Sequence, residues 1–242
     1  MESECRKGMA FMRSHVEGLL RTPGPISGSG EWERLPPRRL INYLLSFLFH
    51  REAWVKWRAV TALGRVVNRM AEESVEAARN FMRRLMWSLN DESGGIGWGS
   101  AETMGEVMAV NETLAREYHC ILLSYVQESG NPLENALLER GVLWGIGRLA
   151  EARPELVEGC GFHLLPYLES RDPILRGHAL WALSFLNAPI PGRFLDALTE
   201  DETEIELYEG GELHLIQIRE LAGRCFVERG VGRGPLQGTG SA

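Results

Sequence analysis

Lysine is almost missing. Of the 26 cationic residues, 24 are arginine. Two causes fit that bias, a composition effect and bidentate recognition of anions. Cysteine is scarce as well: Cys5, Cys120, Cys160 and Cys225 are too few and too scattered for a disulfide framework. No apolar run approaches the roughly 18–20 residues that a membrane helix needs. The opening, Met1-Glu-Ser-Glu-Cys-Arg-Lys7, lacks a hydrophobic signal core. Together these predict a cytoplasmic protein that does not insert in membranes. What is present is enough apolar side chain, 44% of 242 residues, to build a core and to exclude full disorder.

Charge is unevenly placed. Residues 1–90 hold 15 Lys and Arg against 9 Asp and Glu, whereas residues 91–242 hold 11 against 24. A basic N-terminal third therefore joins an acidic remainder, which bears on partners and steering and not on fold.

Two short motifs recur. The first reads Leu44-Leu-Ser-Phe-Leu48, Leu85-Met-Trp-Ser-Leu89, Leu122-Leu-Ser-Tyr-Val126, Leu164-Leu-Pro-Tyr-Leu168 and Phe194-Leu-Asp-Ala-Leu198, with starts 41, 37, 42 and 30 residues apart. The second follows each copy: Thr61-Ala-Leu-Gly64, Glu102-Thr-Met-Gly105, Trp144-Gly-Ile-Gly147, Trp181-Ala-Leu-Ser184 and Glu220-Leu-Ala-Gly223. In three units the lag from the first Leu to the apolar residue before the small one is 19. That lag suits two helices and a short turn, each helix burying a stripe at i, i+3 and i+4. Breakers such as Asn131-Pro132, Asp172-Pro173 and Pro189-Ile-Pro-Gly192 separate them. No unit carries a useful period-2 run, so strands are not called for.

The fourth unit, Leu164-Leu-Pro-Tyr-Leu-Glu-Ser-Arg-Asp-Pro-Ile-Leu-Arg-Gly-His-Ala-Leu-Trp-Ala-Leu-Ser184, resembles a HEAT repeat in its leading LLPxL, its Asp-Pro turn, the Arg176 after it and the Ala-Leu before the small residue. Ala53-Trp-Val-Lys-Trp-Arg-Ala-Val-Thr-Ala-Leu-Gly64 is similar. The likeness spans about residues 36–227 and is poorest in the last unit, where Arg219 stands at a position that is apolar in three of the others. It implies an all-α solenoid of about five HEAT-like helix-turn-helix repeats, with second helices lining a concave face. The expected organisation is an N-terminal cap helix over 1–21, a flexible linker over 22–35, the repeat domain over 36–228 and a disordered tail over 229–242.

With the small residue of each second helix as origin, positions −7, −3 and +1 share the face opposite the core. That stripe reads Trp57, Thr61, Arg65; Trp98, Glu102, Glu106; Arg140, Trp144, Arg148; Gly177, Trp181, Phe185; and Ile216, Glu220, Arg224. Four tryptophans interleaved with Arg and Glu on a concave face have the composition of a binding hot spot. The other reading is that these indoles only pack between neighbouring helices. Trp57, Trp98, Glu102, Glu106, Arg140, Trp144, Arg148 and Trp181 are the candidate partner contacts. Beside them, Gly94, Gly95, Gly97 and Gly99 form either an anion-binding nest before the helix at Ser100 or a plain hinge.

Other chemistry is poorly signposted. His119-Cys120 and Cys160-x-x-His163 lack the usual zinc spacing. The sequence holds no G-x-S-x-G or cysteine-nucleophile signature. The acidic run from Glu200 to Glu212 reads as a solvated loop, or as a contact for a basic partner. No catalytic residue, metal or cofactor is expected. The predicted function is a non-catalytic scaffold for a protein or peptide on the concave face. Two alternatives remain: a DNA-binding or DNA-glycosylase-like HEAT protein, and a HEAT-like cofactor-handling accessory of the lyase type. The first would need phosphate-neutralising charge along an acidic half of the molecule.

Overall fold

A computed structural model describes the backbone of residues 2–24, 26, 31–90, 97–133, 135–186 and 188–227, and the side chains of these residues except 2–7, 195, 226 and 227. Two helices, α1 (Glu2–Arg21) and α2 (Glu31–Arg34), precede the repeats. Five helix pairs follow. They are α3 (Pro37–Phe47) with α4 (Ala53–Glu73), α5 (Val75–Leu89) with α6 (Ser100–Val110), and α7 (Glu112–Ser124) with α8 (Ala136–Ala152). The fourth pairs α9 (Gly161–Leu164) and its 3-10 continuation (Leu165–Glu169) with α10 (Pro173–Ser184), and the fifth pairs α11 (Gly192–Leu198) with α12 (Ile218–Val227). The chain is a mainly helical α-solenoid.

Local chemistry sets the helix starts. The side chains of Ser74, Asn111, Asn135 and Asp172 each accept from a backbone N–H in the first turn of α5, α7, α8 and α10. Pro173 occupies the first position of α10, where no N–H is needed. The second helices stack in sequence, α4 on α6, α6 on α8, α8 on α10 and α10 on α12. Backbones approach most closely where Gly105 of α6 faces Gly145 of α8: a Cβ on Gly105 would overlap the Gly145 backbone, and one on Gly145 would come within 2.7 Å of the Ala101 oxygen. Val60, Leu63, Val67, Met104, Leu143, Ile146, Leu180 and Leu183 fill the seam between the two helix layers.

Charge pairs tie each repeat to the next. Lys56 of the first unit reaches Glu102 of the second at 2.8 Å. Arg140 of the third reaches Asp172 of the fourth at 2.6 Å, and Arg176 of the fourth reaches Asp201 of the fifth at 2.7 Å. Asp172 thus caps its own helix and holds the preceding repeat.

The N-terminal pieces are held against the first repeat. Val16 and Leu20 of α1 are fully buried, but Met9 and Phe11 point to solvent, so only the second half of α1 covers the stack. Within 22–35, read as a loose linker from its Pro, Gly and Ser, Ile26 and Trp32 enter the core. Arg58 donates to the Gly24 carbonyl at 2.8 Å and Arg69 to the Trp32 and Glu33 carbonyls at 2.8 and 3.1 Å, fixing that backbone on α4. Residues 25 and 27–30 of the linker and the tail 229–242 lie outside the described residues.

One expectation needs correction. The acidic insertion of the last unit is an antiparallel hairpin, β1 (Glu204–Glu209) paired with β2 (Glu212–Gln217), with Ile205 opposite Ile216 and Tyr208 opposite Leu213. Gly210 and Gly211 close it at φ 62° and 90°, the left-handed pair that a two-residue hairpin turn requires. Ile205 and Leu207 alternate inward while Glu204 and Glu206 face water. Acidic residues on the outer face had hidden a period-2 pattern.

Candidate functional site

The concave positions of α4, α8 and α10 bring three indoles into one row. Trp57 and Trp144 meet across α6, ring centroids 4.6 Å apart, and Trp144 stacks on Trp181 at 5.8 Å. Phe185 abuts Trp181 edge-on at 5.5 Å. The row needs small neighbours: a Cβ on Gly147 would lie within 2.6 Å of the Trp181 ring.

The expectation of exposed indoles is corrected by the hairpin, which lies over the row. Trp57, Trp144 and Trp181 are buried, Trp181 completely. The Tyr208 ring is nearly parallel to Trp57, at 5.2 Å and 7°, and its hydroxyl shares a 2.9 Å hydrogen bond with Thr61 Oγ1. Trp144 Nε1 donates to the Tyr208 carbonyl at 2.8 Å. Trp181 Nε1 donates to Glu209 Oε1 at 2.8 Å, and Arg224 Nη1 lies 2.9 Å from both oxygens of that carboxylate. Ile205 occupies the notch that Gly177 leaves on α10, where any Cβ would collide with it.

Trp98 stands apart. Gly99, at φ 77°, is the N-cap of α6, so Trp98 precedes the helix and the helical spacing does not carry it onto the stripe. It lies 43% exposed against the ring of Phe49 at 6.4 Å. Of the glycine segment, residues 94 and 95 lie outside the described residues. For the same reason as Trp98, Ile216 is not on α12, which begins at Ile218. It sits on β2.

The charged candidates are brought to the concave side and paired within the chain. Glu102 takes Lys56, and Arg140 takes Asp172. Glu106 takes Arg148 at 2.7 Å, and Arg148 also reaches Glu151 at 3.2 Å. Burial pushes the Glu106 carboxyl above its ordinary range, against the pull of Arg148 and Arg65. Between the hairpin tip and helices α4, α6 and α8 a cavity of about 250 Å³ remains, lined by Arg65, Glu106, Arg148, Glu151 and Gly210-Gly211 among others.

A second buried polar group lies beneath. His178 Nδ1 is 2.9 Å from the Arg140 carbonyl, so this nitrogen carries the proton and donates. Its Nε2 has no partner among the described residues. Burial pulls the imidazole down to about 4, which keeps it neutral.

Among the described residues no three His, Cys, Asp or Glu side chains gather in a metal-binding group. The Cys120 thiol turns to the neighbouring His119 Nε2 at 3.2 Å, and burial pushes the Cys160 thiol up to about 12. What the row holds is the chain's own hairpin. Indole N–H groups grip a main-chain oxygen and a carboxylate, and aromatic faces grip a ring. Tyr208, Glu209, Ile205 and Leu207 were missed as site residues. The signal was there in the alternation Ile205-x-Leu207 ahead of Gly210-Gly211.

No protein-family model matches the chain. An uncharacterized protein of Archaeoglobus fulgidus is 29% identical over 194 residues, covering 78% of this chain and 94% of its own. Among solved structures, computationally designed armadillo repeat proteins for modular peptide recognition align with a TM-score of 0.50 at 12% identity, over 92% of this chain and 93% of theirs. An engineered structural-genomics protein aligns with a TM-score of 0.50 at 14% identity, over 90% of this chain and 99% of its own. The chain has the fold of an armadillo/HEAT-type helical repeat protein. In these terms the row Trp57–Trp144–Trp181 lies on the inner, second-helix layer of the repeats. Among the described residues no helix is long and apolar enough to cross a membrane.

Proposed function

We propose that this repeat protein is a non-catalytic scaffold that binds an extended polypeptide segment on its concave face. The observation that carries the reading is the Trp144 Nε1 bond to the Tyr208 carbonyl. The inner face already holds an extended strand by a main-chain contact, which any peptide can supply, and by stacked aromatics, which select the side chain. The fold is shared with designed armadillo proteins for modular peptide recognition, a likeness of architecture alone. Several cationic residues of the N-terminal third are engaged: Arg58 and Arg69 by backbone carbonyls, Lys56 by Glu102, Arg79 by Glu117 and Arg83 by Glu76. That favours polypeptide over the nucleic-acid alternative, which needs phosphate-neutralising charge along the groove. Trp57, Trp144 and Trp181 supply the anchors, and Arg148 and Arg140, half-buried, the polar rim, with Glu106 and Glu102 buried behind it.

The test is selection from a random peptide display library on the full chain carrying Tyr208→Ala, which loosens the resident strand. Enrichment that disappears when Trp57 and Trp144 are also changed to Ala supports the scaffold. Absence of enrichment, or enrichment indifferent to the two indoles, overturns it.

A further inference from the structure

The resident hairpin also specifies what the groove selects. Resting on the reading of the concave face as a polypeptide site, we propose that the hairpin is a built-in stand-in for the partner. The partner presents an extended segment with aliphatic, any, aliphatic, aromatic and acidic residues in five consecutive positions, as in Ile205-Glu206-Leu207-Tyr208-Glu209, and takes the groove by displacing the hairpin.

Four of the five positions of that pattern are held in the groove. The notch above Gly177 takes Ile205. Leu207 is fully buried. The Trp57 face and the Thr61 hydroxyl take the tyrosine ring and its hydroxyl. Trp181 Nε1 and Arg224 converge on one carboxylate, and a charge-assisted pair of donors is a selective receptor for an acid. Glu204 and Glu206 face water, so their positions are unread. The Trp144 bond to a main-chain oxygen fixes register.

Displacing the hairpin would leave the contact between α10 and α12 in place. α12 keeps its own seat on α10 through the buried Leu221, Ala222 and Cys225. The hairpin is tethered at both ends, running from Asp201 and straight into α12. It therefore competes at an effective concentration in the millimolar range for short tethers, and a free peptide meets a largely closed groove in the unaltered protein.

The experiment is a fluorescence-anisotropy titration with a labelled peptide of residues 203–210, alongside a peptide with glutamine at the position of Glu209. The full chain with Tyr208→Ala is expected to bind the first peptide at least about tenfold more tightly than the unaltered chain does, and to lose about tenfold on the glutamine peptide. Equal binding of the two peptides overturns the proposed ligand chemistry and leaves the scaffold reading standing. Binding of neither peptide by a Tyr208→Ala chain that keeps its helical circular dichroism and melting transition overturns both. Equal affinity of the altered and unaltered chains overturns displacement. Should Tyr208→Ala not fold, hydrogen exchange on the unaltered chain decides. Millimolar peptide is expected to strip protection from amides of 205–208 and 213–217 but not from those of α8, and unchanged protection overturns the proposal.

Discussion

Trp144 and Tyr208, 64 residues apart in sequence, are joined by a 2.8 Å hydrogen bond from the indole Nε1 to the tyrosine's main-chain oxygen. This contact couples the inner face of the third repeat to an element inserted in the fifth. It also converts a solenoid groove into a covered one.

Removing the donor tests that coupling. Trp144→Phe keeps most of the ring and leaves the Tyr208 carbonyl without its partner, at a cost of about 1–3 kcal/mol. Trp87→Phe, at a side chain 77% exposed on α5, is expected to change stability by no more than about 0.5 kcal/mol. Urea unfolding of the two variants measures the difference.

Glycine to alanine should change sign with position. At Gly105 and Gly145 the added methyl meets the facing helix, and forcing the helices apart costs at least about 1–3 kcal/mol. At Gly18, inside α1 with nothing within 4 Å of the added Cβ, the same change is expected to stabilise by about 0.5–1 kcal/mol. Thermal melts of the three variants provide the check.

His178 makes stability depend on mild acid. Its imidazole falls from 6.5 in the unfolded chain to about 4 in the fold, where Lys56 and Arg140 add to the effect of burial and Glu102 opposes it. Between those values the unfolded chain binds a proton that the folded chain refuses. The His178 contribution is therefore complete above pH 6.5 and lost as pH falls toward 4, by roughly 3 kcal/mol in all. Glu106 acts in the opposite sense, since its raised carboxyl favours the fold at low pH and loses that advantage as pH rises above 4.5. The readout is accordingly a difference: His178→Asn should flatten the urea midpoint between pH 6.5 and 4 relative to the unaltered chain. Parallel curves would show that His178 is not the group responsible.

The pair Glu106–Arg148 allows a double-mutant cycle. Arg148→Met leaves a buried carboxylate with its main partner gone, which costs about 3 kcal/mol. It also raises that carboxyl further, so the variant should lose more stability between pH 5 and 8 than the parent. Adding Glu106→Gln should recover part of the loss and remove the extra pH dependence. Additive single effects would mean that the pair contributes nothing as a pair.

The helical framework was legible because its signals are local. Leu44, Leu85, Leu122 and Leu164 each lie buried in the last turns of a first helix, and Ser74, Asn111 and Asp172 cap α5, α7 and α10. Counting in helical steps placed Trp57, Trp144 and Trp181 on one face, since α4, α8 and α10 are unbroken through those positions. The same counting failed at Trp98 and Ile216, which lie just before α6 and α12 begin. The occupant of the groove was not read, because Glu204, Glu206 and Glu209 suggested solvent while Ile205, Leu207 and Tyr208 between them carried the contact. Exposure of the indoles was misjudged for the same reason: what covers them comes from a different repeat.

The indole N–H groups report on the groove most directly. In a nitrogen–proton correlation spectrum of the unaltered chain, the Nε1–H signals of Trp144 and Trp181 should exchange slowly with solvent, held by Tyr208 and Glu209, while that of exposed Trp87 exchanges fast. In the Tyr208→Ala chain both should speed up, and the peptide of residues 203–210 should slow both again. Indole exchange that stays fast with saturating peptide in the folded variant would contradict a concave face built to hold an extended polypeptide.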